Sequence, residues 1–198
     1  MKYSDRIISR IFRHFLPSSL LWKVKTKKKE VFLTFDDGPI PGLTLEILGI
    51  LHEYGATATF FCVGENVVRY PEIYRQLIRE KHATGNHSHH HLKGWKVKFR
   101  DYMDDVSAAS RYVDSNLYRP PYGLITWRQA KALSKKYRVV MWSVLTRDFD
   151  PGVTKEECLA TAIHGVEPGA IIVFHDNLKS RDKVLYALPR LLEYLRKE

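Results

Sequence analysis

The stretch that decides the fold is Val31-Phe32-Leu33-Thr34-Phe35-Asp36-Asp37-Gly38-Pro39. Its first five residues are rich in β-branched and aromatic types, which predicts a buried strand. The strand then ends in two adjacent carboxylates and a Gly-Pro breaker. Two neighbouring carboxylates repel each other unless a cation lies beside them or one holds a proton. The alternative is a solvated turn, because Asp-Gly is common in turns, and this segment alone does not decide between the two.

Helix and strand patterns alternate after this stretch. Predicted helices cover residues 43–54, 71–81, 102–115, 126–135, 154–165 and 183–195, and predicted strands cover residues 58–63, 83–87, 138–144 and 170–174. The first helix is expected to turn Leu45, Leu48 and either Leu51 or His52 inward, and Thr154 to Glu157 has capping-box spacing. Such alternation predicts an α/β domain with a parallel sheet, closed or distorted into a barrel.

The chemically important polar residues all follow strands, where a parallel sheet gathers them at one mouth. They are Asp36, Asp37, His87, Arg119, Asp148 and His175. The sequence therefore predicts one functional site at the carboxyl end of the sheet.

The positive charge of the chain is concentrated at its N-terminus. The formal net charge is +10, but residues 1–30 hold nine Lys or Arg against two acidic residues, and the other 168 residues carry a net charge of only +3. We therefore expect a basic extension over residues 1–29, a main domain over residues 30–198, and no nucleic-acid partner. Residues 6–16 have the pattern of an amphipathic helix. It is expected either to cap the domain or to lie on a membrane surface.

Cysteine usage and hydropathy limit the protein class. Cys62 and Cys158 alone make neither a disulfide framework nor a thiolate metal site. We find no transmembrane run and no signal-peptide core, because charged residues interrupt the N-terminal apolar pattern. We therefore expect a cytoplasmic monomer, with the inner face of the membrane as an alternative location.

Four histidines occur within Gly85-Asn86-His87-Ser88-His89-His90-His91. His87 and His91 are spaced i, i+4, which in a helical turn would place both rings on one side. Two histidines and a carboxylate form a recurrent site for zinc and similar divalent cations. The alternative is a solvated histidine-rich loop.

The other polar residues suit hydrolysis with general base and general acid catalysis. One Asp of the opening pair can bind the metal while the other takes a proton from water. His175 follows a strand and is placed to act as the acid. Arg119 can orient the base, and the prolines of Arg119-Pro120-Pro121-Tyr122-Gly123 can fix the Tyr122 N–H toward a developing oxyanion.

Together these segments resemble the polysaccharide deacetylase family, carbohydrate esterase family 4. The resemblance rests on Thr34-Phe35-Asp36-Asp37-Gly38, His87-Ser88-His89-His90-His91, Arg119-Pro120-Pro121-Tyr122 and Val173-Phe174-His175. It spans about residues 30–196. It implies a single-domain distorted (β/α) barrel with seven or fewer to eight parallel strands, and metal-dependent hydrolysis of an N-acetyl or, less often, an O-acetyl group on a sugar.

The resemblance also implies a role for each site residue. Asp36 is the base, His175 the acid and Arg119 a further catalytic residue. Asp37, His87 and His91 hold one divalent metal ion, with zinc favoured over cobalt, nickel or manganese. Substrate-binding candidates are Pro121, Tyr122, Trp142 and Val173, and the substrate is an N-acetylated glycan or a lipid-linked sugar.

One segment departs from the family pattern. In Trp142-Ser143-Val144-Leu145-Thr146-Arg147-Asp148-Phe149, Leu145 stands where the family usually has the Asp that holds the arginine. Asp148 is the candidate for a substitute partner of Arg119. Leu145 also favours an alternative function, a non-catalytic carbohydrate-binding protein on a decayed deacetylase fold. The intact metal ligands, base and acid argue against that alternative.

Overall fold

The computed structural model describes residues 18–197, in which strands and helices alternate along the chain. Strands β1 to β7 are Phe32–Asp36, Thr59–Cys62, Ala83–Asn86, Leu117–Tyr118, Arg138–Val139, Val144–Leu145 and Ile171–His175. Helices α1 to α7 are Leu43–Glu53, Gly64–Arg69, Pro71–Arg79, Phe99–Ala109, Trp127–Leu133, Lys155–His164 and Arg181–Lys197. Two 3₁₀ turns cover Gly94–Lys96 and Pro121–Gly123.

The seven strands form one parallel sheet in the order β5-β4-β3-β2-β1-β7-β6. Its two edge strands are consecutive in the chain. After β5, the N–H of Val140 still donates to Tyr118 on β4, whereas the N–H of Ser143 donates to Ile171 on β7. One extended segment thus serves both edges and curls the sheet into a distorted barrel, which confirms the predicted fold class. The single strand predicted over residues 138–144 is two short strands, because the segment changes partner midway.

Alternate residues of each strand face opposite sides of the sheet. The outer face packs Phe35, Phe60 and Phe174 against the surrounding helices in the larger core. Inside the barrel a smaller cluster includes Phe61 and Ile171. Gly85 on β3 leaves room for the ring of Phe61, since a Cβ there would overlap it. This part of the barrel interior is therefore filled by apolar side chains.

Residues 18–30 contact the barrel through backbone hydrogen bonds. Leu21 exchanges backbone hydrogen bonds with Val139 and Met141 at 2.9 and 2.7 Å. Val24 donates to Gly169 at 2.9 Å, and both Leu21 and Val24 pack on the inner cluster. The later part of the predicted extension therefore contacts the barrel. The helix predicted over residues 6–16 lies outside the described residues.

All six predicted helices are present. Five have shorter or shifted bounds, and the last is longer than predicted at both ends. Both Thr126 and Thr154 begin helices with complete capping boxes, which confirms the prediction at Thr154. The sequence did not predict α2, and the predicted inner face of α1 was right for Leu48 and Leu51 but wrong for Leu45. Leu45 is 40% exposed, while Ile47 and Leu48 are buried. None of the helices within residues 18–197 is long and apolar enough to span a membrane.

Candidate active site and metal centre

Asp36 and Asp37 lie at the mouth of the barrel and contact different partners. Asp36 is the last residue of β1 and is 3% exposed, with its carboxylate against Arg119. Asp37 follows with a φ of 86°, an uncommon value for a residue other than glycine. Its carboxylate lies beside two histidine rings. The adjacent acids are thus separated into two environments.

Asp37, His87 and His91 form the one three-residue group within residues 18–197 whose ligand atoms lie close enough to hold a metal ion. Those atoms all lie within 4.8 Å of one another. Oδ1 of Asp37 is 3.5 Å from Nε2 of His87 and 3.0 Å from Nε2 of His91. Two imidazole nitrogens and a carboxylate suit zinc and similar borderline cations, so this donor set fits the predicted group.

The histidines reach this arrangement through a loop, not through the helical turn that the i, i+4 spacing predicted. Ser88 and His91 both have left-handed φ values, 63° and 56°, which turn the chain between the two ligands. The backbone N–H groups of His89 and His90 donate to the buried carboxylate of Asp105. Carbonyls of the same loop accept from the first N–H groups of α2 at 2.9 and 3.1 Å.

Hydrogen bonds to other residues fix the orientation of the metal-ligand side chains. Nδ1 of His87 lies 2.8 Å from the carbonyl oxygen of Arg119, so its proton is donated there and Nε2 keeps a lone pair for a metal. Asn177 donates to Oδ2 of Asp37 at 2.6 Å, on the carboxylate oxygen away from the histidines. Burial would raise the pKa of Asp37, but the adjacent imidazole rings of His87 and His91 hold that pKa well below its usual range.

Arg119 is fully buried beneath Asp36. Its Nη1 donates to Oδ1 of Asp36 at 2.6 Å and to the Thr34 hydroxyl at 2.8 Å. Its Nε and Nη2 donate to the carbonyls of Val140 and Met141 at 3.2 and 2.9 Å. Within the part of the chain that the structure describes, these groups hold the guanidinium without a second carboxylate. Its planar group also stacks on Phe61, 4.1 Å from the ring centroid.

Asp148 contacts His175 and not Arg119, so its predicted role as substitute partner of Arg119 is corrected. One carboxylate oxygen accepts the backbone N–H of His175 at 2.6 Å, and the other lies 2.7 Å from Nδ1 of the ring. Burial would lower the pKa of His175, but Asp148, with the carboxylates of Asp36 and Asp37 farther away, raises it to about 9. The imidazole is therefore protonated at neutral pH, with Nε2 directed away from Asp148.

A cavity of about 460 Å³ joins these groups. Besides Asp36, Asp37, His87, His91 and His175, it is lined by Tyr122, Trp142, Leu145, Phe149 and Val173. Tyr122 has a left-handed backbone with a φ of 59°, and Gly123 after it lies directly under the ring of Trp142. Pro121 is buried and begins the turn that carries Tyr122, and it does not itself line the cavity.

The family pattern seen in the sequence is matched by comparison with known proteins. Residues 23–140, more than half of the chain, match the family profile described as polysaccharide deacetylase. The chain belongs to the polysaccharide deacetylase family. It is 32% identical over 186 residues to a peptidoglycan-N-acetylglucosamine deacetylase of Bacillus cereus, covering 89% of this chain and 86% of the relative.

Two further comparisons agree with this assignment. A chitooligosaccharide deacetylase of Bradyrhizobium sp. is 32% identical over 191 residues, covering 85% of each chain. Among solved structures, the Bc1960 peptidoglycan N-acetylglucosamine deacetylase superposes with a TM-score of 0.82 at 29% identity, covering 90% of this chain and 87% of that one. The barrel is therefore the fold of this polysaccharide deacetylase family.

Sequence reasoning missed two residues directly after His175. Asp176 accepts hydrogen bonds from the Gly38 N–H and the Thr44 hydroxyl, both at 2.8 Å. Burial raises its pKa to about 7, although these hydrogen bonds oppose the shift. Asn177 is the residue that contacts Asp37. Their position after the strand that ends in His175 was the available signal, because that position places them at the mouth.

Proposed function

We propose that this protein is a metal-dependent deacetylase that hydrolyses the N-acetyl group of an N-acetylglucosamine residue in a glycan. The observation that carries the proposal is the separation of Asp36 and Asp37. Asp37 lies with two histidines in a metal-ligand set, while Asp36 lies against Arg119 in the same cavity. The named relatives act on peptidoglycan or chitooligosaccharide, and both support N-acetylglucosamine as the sugar.

Asp37, His87 and His91 would hold the cation through one carboxylate oxygen and two Nε2 atoms. Zinc suits this donor set best, with cobalt, nickel or manganese as alternatives. When bound, the cation supplies Lewis acidity, which lowers the pKa of water and polarises a carbonyl group. Asn177 and the carbonyl of Arg119 orient these ligands from behind.

Asp36 is the general base of the proposed reaction. Arg119 occupies Oδ1 of Asp36, so Oδ2 accepts the proton of the water that attacks the acetyl carbon. Because both side chains are buried and the guanidinium has four further contacts, the carboxylate keeps a fixed orientation. A fixed base near the attacked atom is what proton transfer requires.

His175 is the general acid. Asp148 holds Nδ1, so Nε2 carries the proton that passes to the sugar nitrogen as the C–N bond breaks. In the metal-free protein the raised pKa of about 9 keeps His175 protonated at neutral pH. The N–H of Tyr122 is the proposed donor to the developing oxyanion, and Pro121 with the left-handed turn at Tyr122 sets its direction.

The test is acetate release from N-acetylglucosamine oligomers. We expect chelator-treated protein to lose activity and zinc or cobalt to restore it. Asp36→Asn should lower kcat by about a hundredfold or more, because a general base contributes at least that factor. Full activity of Asp36→Asn, or chelator-resistant activity, would contradict the proposed mechanism.

Leu145 is the observation that favours the alternative, a carbohydrate-binding protein without catalysis. The contacts of Arg119 with Thr34, Val140 and Met141 weigh against it, since they supply support that Leu145 does not. Elemental analysis of the purified protein separates the two proposals. A metal-dependent enzyme should contain about one equivalent of a divalent metal, whereas a decayed site should contain none.

The identity of the glycan is the least specific part of the proposed function. Once the bound metal has been identified, an acetate-release screen should compare peptidoglycan fragments, chitooligosaccharides and O-acetylated sugars as substrates. A lipid-linked sugar and membrane contact through residues 6–16 stay predictions. Liposome co-sedimentation with and without anionic lipid tests them, and absence of binding in both cases would contradict membrane contact.

A further inference from the structure

Strand register aligns the catalytic residues and an apolar pair in two successive rows inside the barrel mouth. In the upper row Asp36 on β1 pairs with His175 on β7. Two residues below, Thr34 pairs with Val173, and Val173 pairs in turn with Leu145 on β6. The two rows are about 6.6 Å apart along the strands, because each residue rises about 3.3 Å.

The lower row is polar on one side and apolar on the other. Thr34 is buried, and its hydroxyl contacts both Arg119 and the carbonyl of Ile172. Neither Thr34 nor Arg119 lines the cavity, whereas Leu145 and Val173 both do. Beneath the catalytic row, only the apolar side of the lower row is therefore exposed to the cavity. Trp142 and Phe149 line the same cavity.

We infer that Leu145 extends the substrate contact expected of Val173 into an acyl-binding floor, and that this lets the enzyme hydrolyse N-propionyl and N-butyryl sugars as well as N-acetyl sugars. The inference rests on the proposed function. A carbonyl held between Asp36 and His175 has its sugar on the solvent side of the mouth and its acyl carbon chain toward the lower row. Added methylene groups then contact Leu145, and no polar group of Thr34 or Arg119 is exposed to them.

The reaction is the same for each acyl group. The oxygen of water forms a bond to the acyl carbon, the bond between that carbon and the sugar nitrogen breaks, and the nitrogen gains a proton. The products are the free carboxylic acid and the free amine of the sugar. Since the amine is identical in every case, one assay measures all substrates.

The experiment uses the metal-loaded full chain and a glucosamine tetramer that is N-acetylated, N-propionylated or N-butyrylated. Release of free amine gives kcat/KM for each substrate. We expect the propionyl and butyryl values to lie within about tenfold of the acetyl value. Burial of one methylene is worth about fourfold in binding, so Leu145→Asn should lower the propionyl-to-acetyl ratio by about that factor and the butyryl ratio further.

The matched control is Leu45→Asn, which changes an exposed leucine of α1 outside the cavity and should leave every ratio unchanged. The wild-type series needs no variant and so does not depend on the folding of Leu145→Asn. Cleavage of the acetyl substrate alone would overturn this inference and leave the proposed function standing. Unchanged ratios in Leu145→Asn would also overturn it. Failure of all three substrates would overturn the proposed function and the inference together.

Discussion

Arg119 and Asp36 form a buried ion pair in which Nη1 lies 2.6 Å from Oδ1, with the arginine side chain 0% and the aspartate side chain 5% exposed. Such a pair needs further hydrogen bonds to offset the desolvation of both charges. Thr34 and the carbonyls of Val140 and Met141 provide them on the arginine side. The pair therefore links β1, β4 and the segment that joins β5 to β6.

Arg119→Met should destabilise the fold by about 3–5 kcal/mol, because it leaves the Asp36 carboxylate buried without a partner. Deacetylation should fall by about a hundredfold or more, since the base is displaced. Denaturant unfolding and kcat measure the two effects. The control is Arg100→Met, which breaks an exposed i, i+4 pair with Asp104 and should change stability by less than about 1 kcal/mol. Equal effects of both variants would contradict the role of the buried pair.

Asp148→Asn should lower the pKa of His175, because the carboxylate that favours the imidazolium is removed. In metal-free protein, NMR titration should give a wild-type pKa of about 9 and a lower value in the variant. Since the acid must be protonated, the basic limb of kcat/KM should move to lower pH. A bound cation adds positive charge nearby, so this limb in the loaded enzyme lies below the metal-free pKa. The control is Asp150→Asn, whose carboxylate contacts Arg147.

The raised pKa of His175 also makes the stability of the fold depend on pH. The pKa of about 9 in the folded protein exceeds the ordinary value of 6.5. Protonated His175 therefore contributes stability fully below about pH 6.5, and this contribution is lost as the pH rises through about 9. We expect the stability difference between wild type and Asp148→Asn to shrink over that interval. A difference that stays constant from pH 6 to pH 10 would refute this linkage.

Asn177→Ala should weaken zinc binding by about 10–100-fold, a typical loss when a group that orients a metal ligand is removed. Asn177 fixes Oδ2 of Asp37 and thereby directs Oδ1 toward the histidines. Competition with a chromophoric chelator measures the affinity, and a melting curve checks the fold, because Asn177 also accepts hydrogen bonds from Ser180. Asn116→Ala at an exposed position is the control. Unchanged affinity in Asn177→Ala would rule out the orienting role.

Gly38→Ala should lower both stability and metal affinity, because a Cβ at this position would overlap the carboxylate of Asp176. Asp176 would have to release the Gly38 N–H, and the segment next to Asp37 would move. Gly49→Ala is the matched control, since no atom of residues 18–197 lies within 4 Å of a Cβ there and the residue is inside α1. That change should stabilise the protein by about 0.5–1 kcal/mol. Thermal unfolding of both variants distinguishes overlap from a general effect of alanine.

Local sequence patterns predicted what depends on neighbouring residues. The alternation of strands and helices and the capping box at Thr154 are set within a few positions, and the structure confirms both. The face of α1 was predicted less well. Leucine occurs on both sides of that helix, so periodicity could not distinguish exposed Leu45 from buried Leu43.

The choice of partner in the site could not be predicted from the sequence. Asp148 was expected beside Arg119, but its carboxylate contacts His175. The i, i+4 spacing predicted a helical turn for His87 and His91, but left-handed residues and contacts with α2 and Asp105 shape a loop there. Both outcomes depend on groups that approach from distant parts of the chain.

By itself, the sequence determined the parallel α/β architecture, the family and the gathering of polar residues at the carboxyl ends of the strands. Only the tertiary structure decided how the carboxylates at Asp36 and Asp37 are divided, how Arg119 is held without an acidic residue at position 145, and that Leu145 lies beside Val173 below the catalytic row. The physical reason is that hydrophobic periodicity and caps act over one or two turns of chain. Hydrogen-bond partners and strand register are instead set by packing between segments as far apart as β1 and β7.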